Sequence, residues 1–506
     1  MKKSNIFILI CALAAISSSI LVLHCEREGV TTAQSWLGDI PITRFQPATG
    51  GPAPIVIIAH GFAGSQQLMQ PMAVTLARNG YTAVTFDFAG HGRNPLPLSG
   101  GIRDMDESAR LLLSEIDDVV RFASTLPGAG SGVALVGHSM AADLVVRYAI
   151  DHPEISAVVA ISVFGSGITA TEPKSLLVVD GAWEPKFLTD AGFRIVGMVS
   201  KGPAKERTTY GDPMLGTGRR FVLAEGAEHI GVIYSRDALT ETLIWTNAVF
   251  GRTSSGFIDR RGKWLALLFL GLVALALPLS RFLPVMSSTP LGAGLRWRKL
   301  VPIAIAPAVL TPLLLWKAPT DFLPILLGDY LVIHFALYGL LTAGGLWAAT
   351  RGSTPIPRPS GRTGWLVAAA IPVSAFYVVG LGSPIDAFVT SFMPTSSRWL
   401  IFPVMFCGLA LYFLADEWLT RGIGAAKGAY VATKICFLVS LSVAVALNPA
   451  KLFFLMIIVP VICIFFIIHG LISRWTYART RDPRVAALGN AAGLAWAISV
   501  TFPIVG

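Results

Sequence analysis

Charge is scarce in this chain of 506 residues: Asp, Glu, Lys and Arg make up only 14% of it, against 53% hydrophobic residues. With a mean hydropathy of +0.63, that composition excludes a wholly water-soluble protein. Cysteine is scarcer still. Of the five present, Cys11, Cys407, Cys436 and Cys463 lie in apolar blocks, Cys25 borders the first block, and none falls between Val30 and Phe250. This excludes a disulfide framework or a CxxC metal site in that stretch, and it leaves the redox compartment open. No motif asks for a cofactor. The net charge of +10, from 40 basic and 30 acidic residues, would fit nucleic acid, but its placement argues for a bilayer instead.

The apolar residues are unevenly spread. Lys2 and Lys3 precede the run Ile6 to Leu23, which has no A-x-A cleavage site immediately beyond it and reads as an uncleaved anchor rather than a signal peptide. From Trp264 onward, apolar blocks of about 20 residues alternate with short basic or Pro/Gly-containing loops, the length a helix needs to cross a hydrocarbon core. Eight spans are expected there, at 264–283, 299–316, 323–348, 364–381, 397–415, 429–448, 451–472 and 485–504, making nine with the anchor. One set of loops carries Arg281, Arg296, Arg298, Lys299, Arg351, Arg358, Arg362, Arg421, Lys427, Arg474, Arg479, Arg481 and Arg484. The opposite set carries only Lys317, Arg398 and Lys451. Positive loops stay inside, so the N-terminus is expected in the cytoplasm and residues 30–250 on the outer, periplasmic side of a bacterial inner membrane. Arg252, Arg260, Arg261 and Lys263 dissent from the pattern. The expected organisation is an anchor at 1–29, an α/β domain at 30–250, a basic linker at 251–263 and an all-α multi-span transmembrane domain at 264–506.

Within 30–250, short apolar runs at 54–60, 81–88, 132–137, 157–163, 175–180 and 220–226 read as buried strands. Helical patterns such as 105–124 separate some of them, which implies a largely parallel sheet. The third run leads into Gly137-His138-Ser139-Met140 and then a helical pattern. A serine on such a tight strand-to-helix turn needs small neighbours, and Gly137 is one. Upstream, Ala59 to Ser65 ends a strand in a glycine-rich turn, where the N–H groups of Phe62 and Met140 can face a developing oxyanion. His229 follows the last strand, in Leu223 to Gly231.

AHGFAGS, FDFAGHGRN, GHSMA and LAEGAEHIG, in that order, resemble the α/β-hydrolase superfamily, especially its serine aminopeptidase and monoacylglycerol-lipase-like members. The resemblance covers residues 50–250. It implies an oxyanion loop at His60-Gly61-Phe62, a D-x-x-G-H-G segment from Asp87 to Gly92, Ser139 as nucleophile and His229 as base. Ala141 stands where the family usually has glycine, and Asn94 where it has serine. For the acid, LLVVDGAWEP supplies Glu184, at the family's spacing from Gly181, with Asp180 at the strand end as the alternative. His60, His91 and His138 read as structural braces, with no metal.

These residues imply a serine hydrolase that cleaves an ester-linked acyl group of a lipid or amphipathic envelope substrate. Transfer of the acyl group to a lipid or glycan is an alternative, as is a transporter or binding module with a hydrolase-like outer domain. The expected partners are the bilayer and such an ester, with no nucleic acid; homo-oligomerisation is left open. Only 11 residues separate the runs at 157–163 and 175–180, too few for a helical cap. Among the spans, Lys434 is expected to staple Asp416, and Asp329 and His334 are expected near the outer interface, because charges inside a bilayer need partners or water.

Overall fold

The computed structural model describes residues 3–101, 104–165, 167–351 and 363–506. Lys2, Arg358 and Arg362 of the charge pattern lie outside the described residues. The chain forms two compact units. A sheet unit comprises Ser18–Ala266, Ile385–Ser391 and Pro503–Gly506; a helical unit comprises Met1–Ser17, Leu267–Pro384 and Phe392–Phe502.

After helix α1 (Lys3–Cys25), the sheet unit runs through β1 (Val30–Leu37), β2 (Ile40–Pro47), β3 (Ile55–Ala59), α2 (Gln70–Arg78), β4 (Thr82–Phe86), α3 (Met105–Ser124), β5 (Val133–His138), α4 (Met140–Asp151), β6 (Ile155–Ile161), β7 (Leu176–Gly181), α5 (Lys186–Gly197), β8 (Arg219–Ala224) and α6 (Arg236–Val249). The strands lie in the order β1-β2-β4-β3-β5-β6-β7-β8. β3 to β8 are mutually parallel, whereas β1 and β2 form an antiparallel hairpin on the β4 edge. Both faces of the parallel part are covered, so its strands are apolar without alternation. Ile55, Ile57 and Leu135 pack with Leu112, Val145 and Ile195 of α3, α4 and α5. Val56, Ile58 and Val136 pack on the other side with Met72, Leu76 and Trp245 of α2 and α6. Helix starts are set by caps: Asp104 accepts from the Glu107 N–H ahead of α3, and Ser235 from the Ala238 N–H ahead of α6.

All six expected strands are present. The β1–β2 hairpin is an addition. β1 is exposed along most of its length and carries Thr31, Thr32, Gln34 and Ser35, so it lacks the apolar run that marks an inner strand. Ile385–Ser391 and Pro503–Gly506, far along the chain, also belong to the sheet unit.

The remaining helices are α7 (Arg261–Ser280), α8 (Trp297–Leu315), α9 (Gly328–Thr350), α10 (Thr363–Ala375), α11 (Gly382–Phe388), α12 (Ile401–Thr420), α13 (Ala429–Leu447), α14 (Pro449–Leu452), α15 (Leu455–Thr480) and α16 (Pro483–Thr501). Eight described helices are long and apolar enough to cross a membrane: α1, α7, α8, α9, the run Gly364–Phe388, the run Ser396–Thr420, α13 and α15. The ninth expected span is α16, which is helical but less apolar and almost wholly buried. Its glycines explain why. A Cβ on Gly489 would lie 2.4 Å from Val373, and one on Gly493 would lie 2.8 Å from Tyr377. Small residues let this helix sit inside the unit, where close backbone approach replaces apolar bulk.

Candidate functional site

Four neighbouring parallel strands bring the site together at their carboxyl ends, the place where such sheets gather ligands. Ser139 follows β5, Ser162 follows β6, Glu184 lies just beyond β7, and His229 lies just beyond β8. Ser139 has φ 55° and ψ −121°, an unfavourable conformation for a side chain with a Cβ, of the kind that costs about 1–3 kcal/mol. Its N–H donates to the Ile161 carbonyl at 2.8 Å, tying the turn to β6. A Cβ at Gly137 would come within 2.3 Å of the Ala141 carbonyl oxygen, so the turn requires glycine there. Ala141, where the resemblance implies glycine, is itself buried in the core.

His229 Nε2 lies 2.9 Å from Ser139 Oγ, and His229 Nδ1 lies 2.5 Å from Glu184 Oε1. The second oxygen of Glu184 accepts from the Gly181 N–H at 2.6 Å and the Ser162 hydroxyl at 2.9 Å. These two donors fix the orientation of the carboxylate. Since a carboxylate only accepts, His229 carries its proton on Nδ1, which leaves Nε2 free to accept from Ser139. Ser162, like Ser139, has a positive φ, 61°. The sequence reading did not single it out, because a serine just past a strand carries no distinctive signal.

Asp180 takes a different position. It is fully buried at the end of β7. Burial, followed by the nearby Glu184 charge, pushes its carboxyl up to about 8. It is therefore mostly neutral at neutral pH, leaving Glu184 as the carboxylate in contact with the imidazole.

The other histidines make defined contacts. His138 Nε2 donates to the His229 carbonyl at 2.8 Å, and burial drives its pKa down to about 3, so it stays neutral while holding the His229 backbone. His60 donates from Nδ1 to Gly61 O and accepts the Phe88 N–H at Nε2; burial lowers its pKa. His91 donates to the Ala89 carbonyl. Asn94, in place of the usual serine, donates to both the Asp87 carbonyl and Glu115 Oε1. Glu115, on α3, also accepts the Ala89 N–H at 2.9 Å, and burial pushes its carboxyl to about 7. The sequence reading missed this brace, since Glu115 sits in an otherwise ordinary amphipathic helix. Phe62 lies in a turn closed by the Gly64 N–H to the Gly61 carbonyl. Met140 opens α4, where a first-turn N–H has no partner within its own helix.

Residues 50–220 match the family model described as serine aminopeptidase, S33. This unit has the α/β-hydrolase fold. His229 lies beyond the matched span. Two curated relatives, uncharacterized proteins from two strains of Mycobacterium tuberculosis, are 29% identical over 115 residues, which is 22% of this chain and 38% of each relative. The chain thus spans well under half the length of the curated relatives it matches. Among solved structures, a hypothetical protein from Pseudomonas aeruginosa aligns at 10% identity, covering 43% of this chain and 93% of its own, with a TM-score of 0.33. TT1662 from Thermus thermophilus aligns at 15% identity, covering 44% and 99%, with a TM-score of 0.33.

The four polar residues expected to matter among the spans belong to the helical unit. Lys434 Nζ of α13 donates to Asp416 Oδ2 of α12, and both are buried. His334 is fully buried, bonded to Ser440 Oγ at 3.1 Å and Tyr330 Oη at 3.3 Å, so it joins α9 to α13. Asp329 is buried at the start of α9 and accepts the Tyr330 N–H at 2.7 Å.

Proposed function

We propose that this chain is a membrane-embedded serine hydrolase that cleaves an ester-linked acyl group of a lipid or amphipathic envelope molecule. The observation that carries the reading is the unbroken hydrogen-bonded series from Ser139 through His229 to Glu184. In this reading Ser139 Oγ attacks the ester carbonyl carbon while His229 Nε2 takes the hydroxyl proton. The Glu184 carboxylate stabilises the resulting imidazolium. The N–H groups of Phe62 and Met140 receive the negative oxygen of the tetrahedral intermediate. His229 then hands the proton to the departing alkoxide as the C–O bond breaks. Water, deprotonated by His229, attacks the acyl-enzyme and releases the acid. An acceptor alcohol in place of water would make the same chain an acyl transferase.

Two observations support an amphipathic substrate. The stretch between β6 and β7 contains no described helix or strand that would roof the site. Exposed aromatic side chains also flank the acid in sequence: Trp183 is 72% exposed and Phe187 48%, with Phe164 stacked on Phe187 at 5.7 Å. Single exposed apolar residues are ordinary, but clustered aromatic ones mark contact surfaces. The lysine and arginine asymmetry of the loops supports a cytoplasmic N-terminus and an outward catalytic unit.

The test is hydrolysis of p-nitrophenyl esters of increasing acyl length by the detergent-purified chain. Turnover that rises with chain length and vanishes in Ser139→Ala is expected. Turnover equal in the two proteins would sink the reading, and product appearing only with an added alcohol would replace hydrolysis with transfer.

A further inference from the structure

The loop that carries the Phe62 donor, and the Asp87–Leu98 loop bonded to it through Asp87, are held by two segments far along the chain, Ile385–Ser391 and Pro503–Gly506, which belong to the sheet unit. Ser65 shows this most clearly. It stands as the N-cap of the short 3-10 helix Gln66–Met69, yet its side chain caps nothing there. Instead its fully buried hydroxyl accepts the Ser391 N–H at 2.9 Å and shares a hydrogen bond with Thr390 Oγ1 at 2.9 Å. The first N–H of this helix is taken by Asp87, which accepts the Gln66 N–H at 2.6 Å and the Gln66 side-chain amide at 3.0 Å. The turn that presents the Phe62 N–H is therefore clamped at its exit from two sides. Ala63 within it is held at φ 54°, a conformation that persists only when its surroundings impose it.

The second loop, Asp87 to Leu98, is gripped in the same way. Asp87 also accepts the Arg93 N–H, and the Arg93 guanidinium pairs with Asp386 at 2.9 Å. The Ile504 N–H donates to the Gly90 carbonyl at 2.9 Å, and the Leu98 N–H donates to the Ile504 carbonyl at 2.8 Å. Gly90, at φ +76°, leaves room for this strand: a Cβ there would lie 2.6 Å from the Ile504 oxygen. The glycine of the D-x-x-G-H-G motif thus serves a local purpose here, the approach of a distal backbone.

We infer that Thr390, Asp386 and Ile504 are positioning residues for the oxyanion loop, so that the catalytic unit reaches its working geometry only with these distal segments in place. The inference rests on the hydrolase reading and deepens it. A displacement of about 1 Å in a catalytic donor costs on the order of 100-fold in rate, so small shifts of the Gly61–Ser65 turn are enough to register. The hydrogen bonds these segments make go to Ser65, Arg93, Gly90 and Leu98, and substrate binding should change little when they loosen.

The test uses the full chain and compares Thr390→Val, Thr390→Ser, Ser65→Ala and Ile504→Pro with the native protein, recording kcat, KM and melting temperature on one p-nitrophenyl ester. Thr390→Val and Ile504→Pro should each lower kcat roughly tenfold, and Ser65→Ala on the order of 10- to 100-fold, in line with loss of oxyanion alignment. KM should stay within about twofold, melting temperature should be nearly unchanged for Thr390→Val, and Thr390→Ser should restore kcat. Native kcat in all variants would overturn the inference, as would losses that appear only in KM or only in proportion to a fall in melting temperature. An inactive native chain would instead remove the hydrolase reading on which the inference rests.

Discussion

Ser139 occupies a strained conformation, and its hydroxyl meets an imidazole whose other nitrogen is already committed to Glu184. Strain of this sort persists where function requires it. If Glu184 fixes the tautomer, Glu184→Gln should lower kcat roughly 100- to 10,000-fold, while Asp180→Asn should leave it within a few-fold; steady-state kinetics on the two variants checks this. Asp180 also carries a pH prediction. Its folded pKa is raised from 3.8 to about 8, so the native protein keeps a proton that the unfolded chain releases. The stability it contributes is fully present below 3.8 and is lost as pH rises toward about 8. Melting temperature followed across that window should therefore decline less steeply in Asp180→Asn than in the native protein. The candidate nucleophile, the candidate base and both carboxylates were visible in the sequence through motif order, and the spacing from Gly181 already favoured Glu184 over Asp180. What spacing does not carry is the contact with His229 and the sealing of Asp180 from solvent, which only the fold supplies.

At the scale of elements, the elbow depends on close contact between β5 and α4. Gly137→Ala would push a methyl against the Ala141 carbonyl, and overpacking of this kind typically costs about 1–3 kcal/mol. Denaturant unfolding should register that loss together with failure of the serine to react. The buried strands were legible because each is a short apolar run closed on both faces, as with Ile55–Ala59, all of whose residues are buried. β1 was not, since an exposed edge strand of threonine, glutamine and serine looks like a linker. α16 was read as a span from its length. Its many alanines and glycines, Gly489 and Gly493 among them, suit it to lie between other helices rather than against lipid.

For the whole molecule, the apolar blocks and their basic loops were plain in the sequence, because a bilayer imposes length and charge rules on every segment. The joining of Ile385–Ser391 and Pro503–Gly506 to the sheet unit was not. Ser391 and Ile504 bond through backbone groups that any residue supplies. Within the helical unit, the buried pair of Lys434 and Asp416 gives a prediction of its own. Lys434→Met should destabilise by about 3–5 kcal/mol by stranding the Asp416 charge, whereas Lys434→Met with Asp416→Leu should recover most of it; unfolding in detergent separates the two outcomes.

The central claim is that Ser139 is an activated nucleophile, and a fluorophosphonate probe reads this directly on the full chain. The native protein should be labelled at Ser139, with no labelling in Ser139→Ala, strong loss in His229→Ala and Glu184→Gln, and near-native labelling in Asp180→Asn. A folded native protein that takes up no probe, or one labelled equally well without Ser139, would contradict the account.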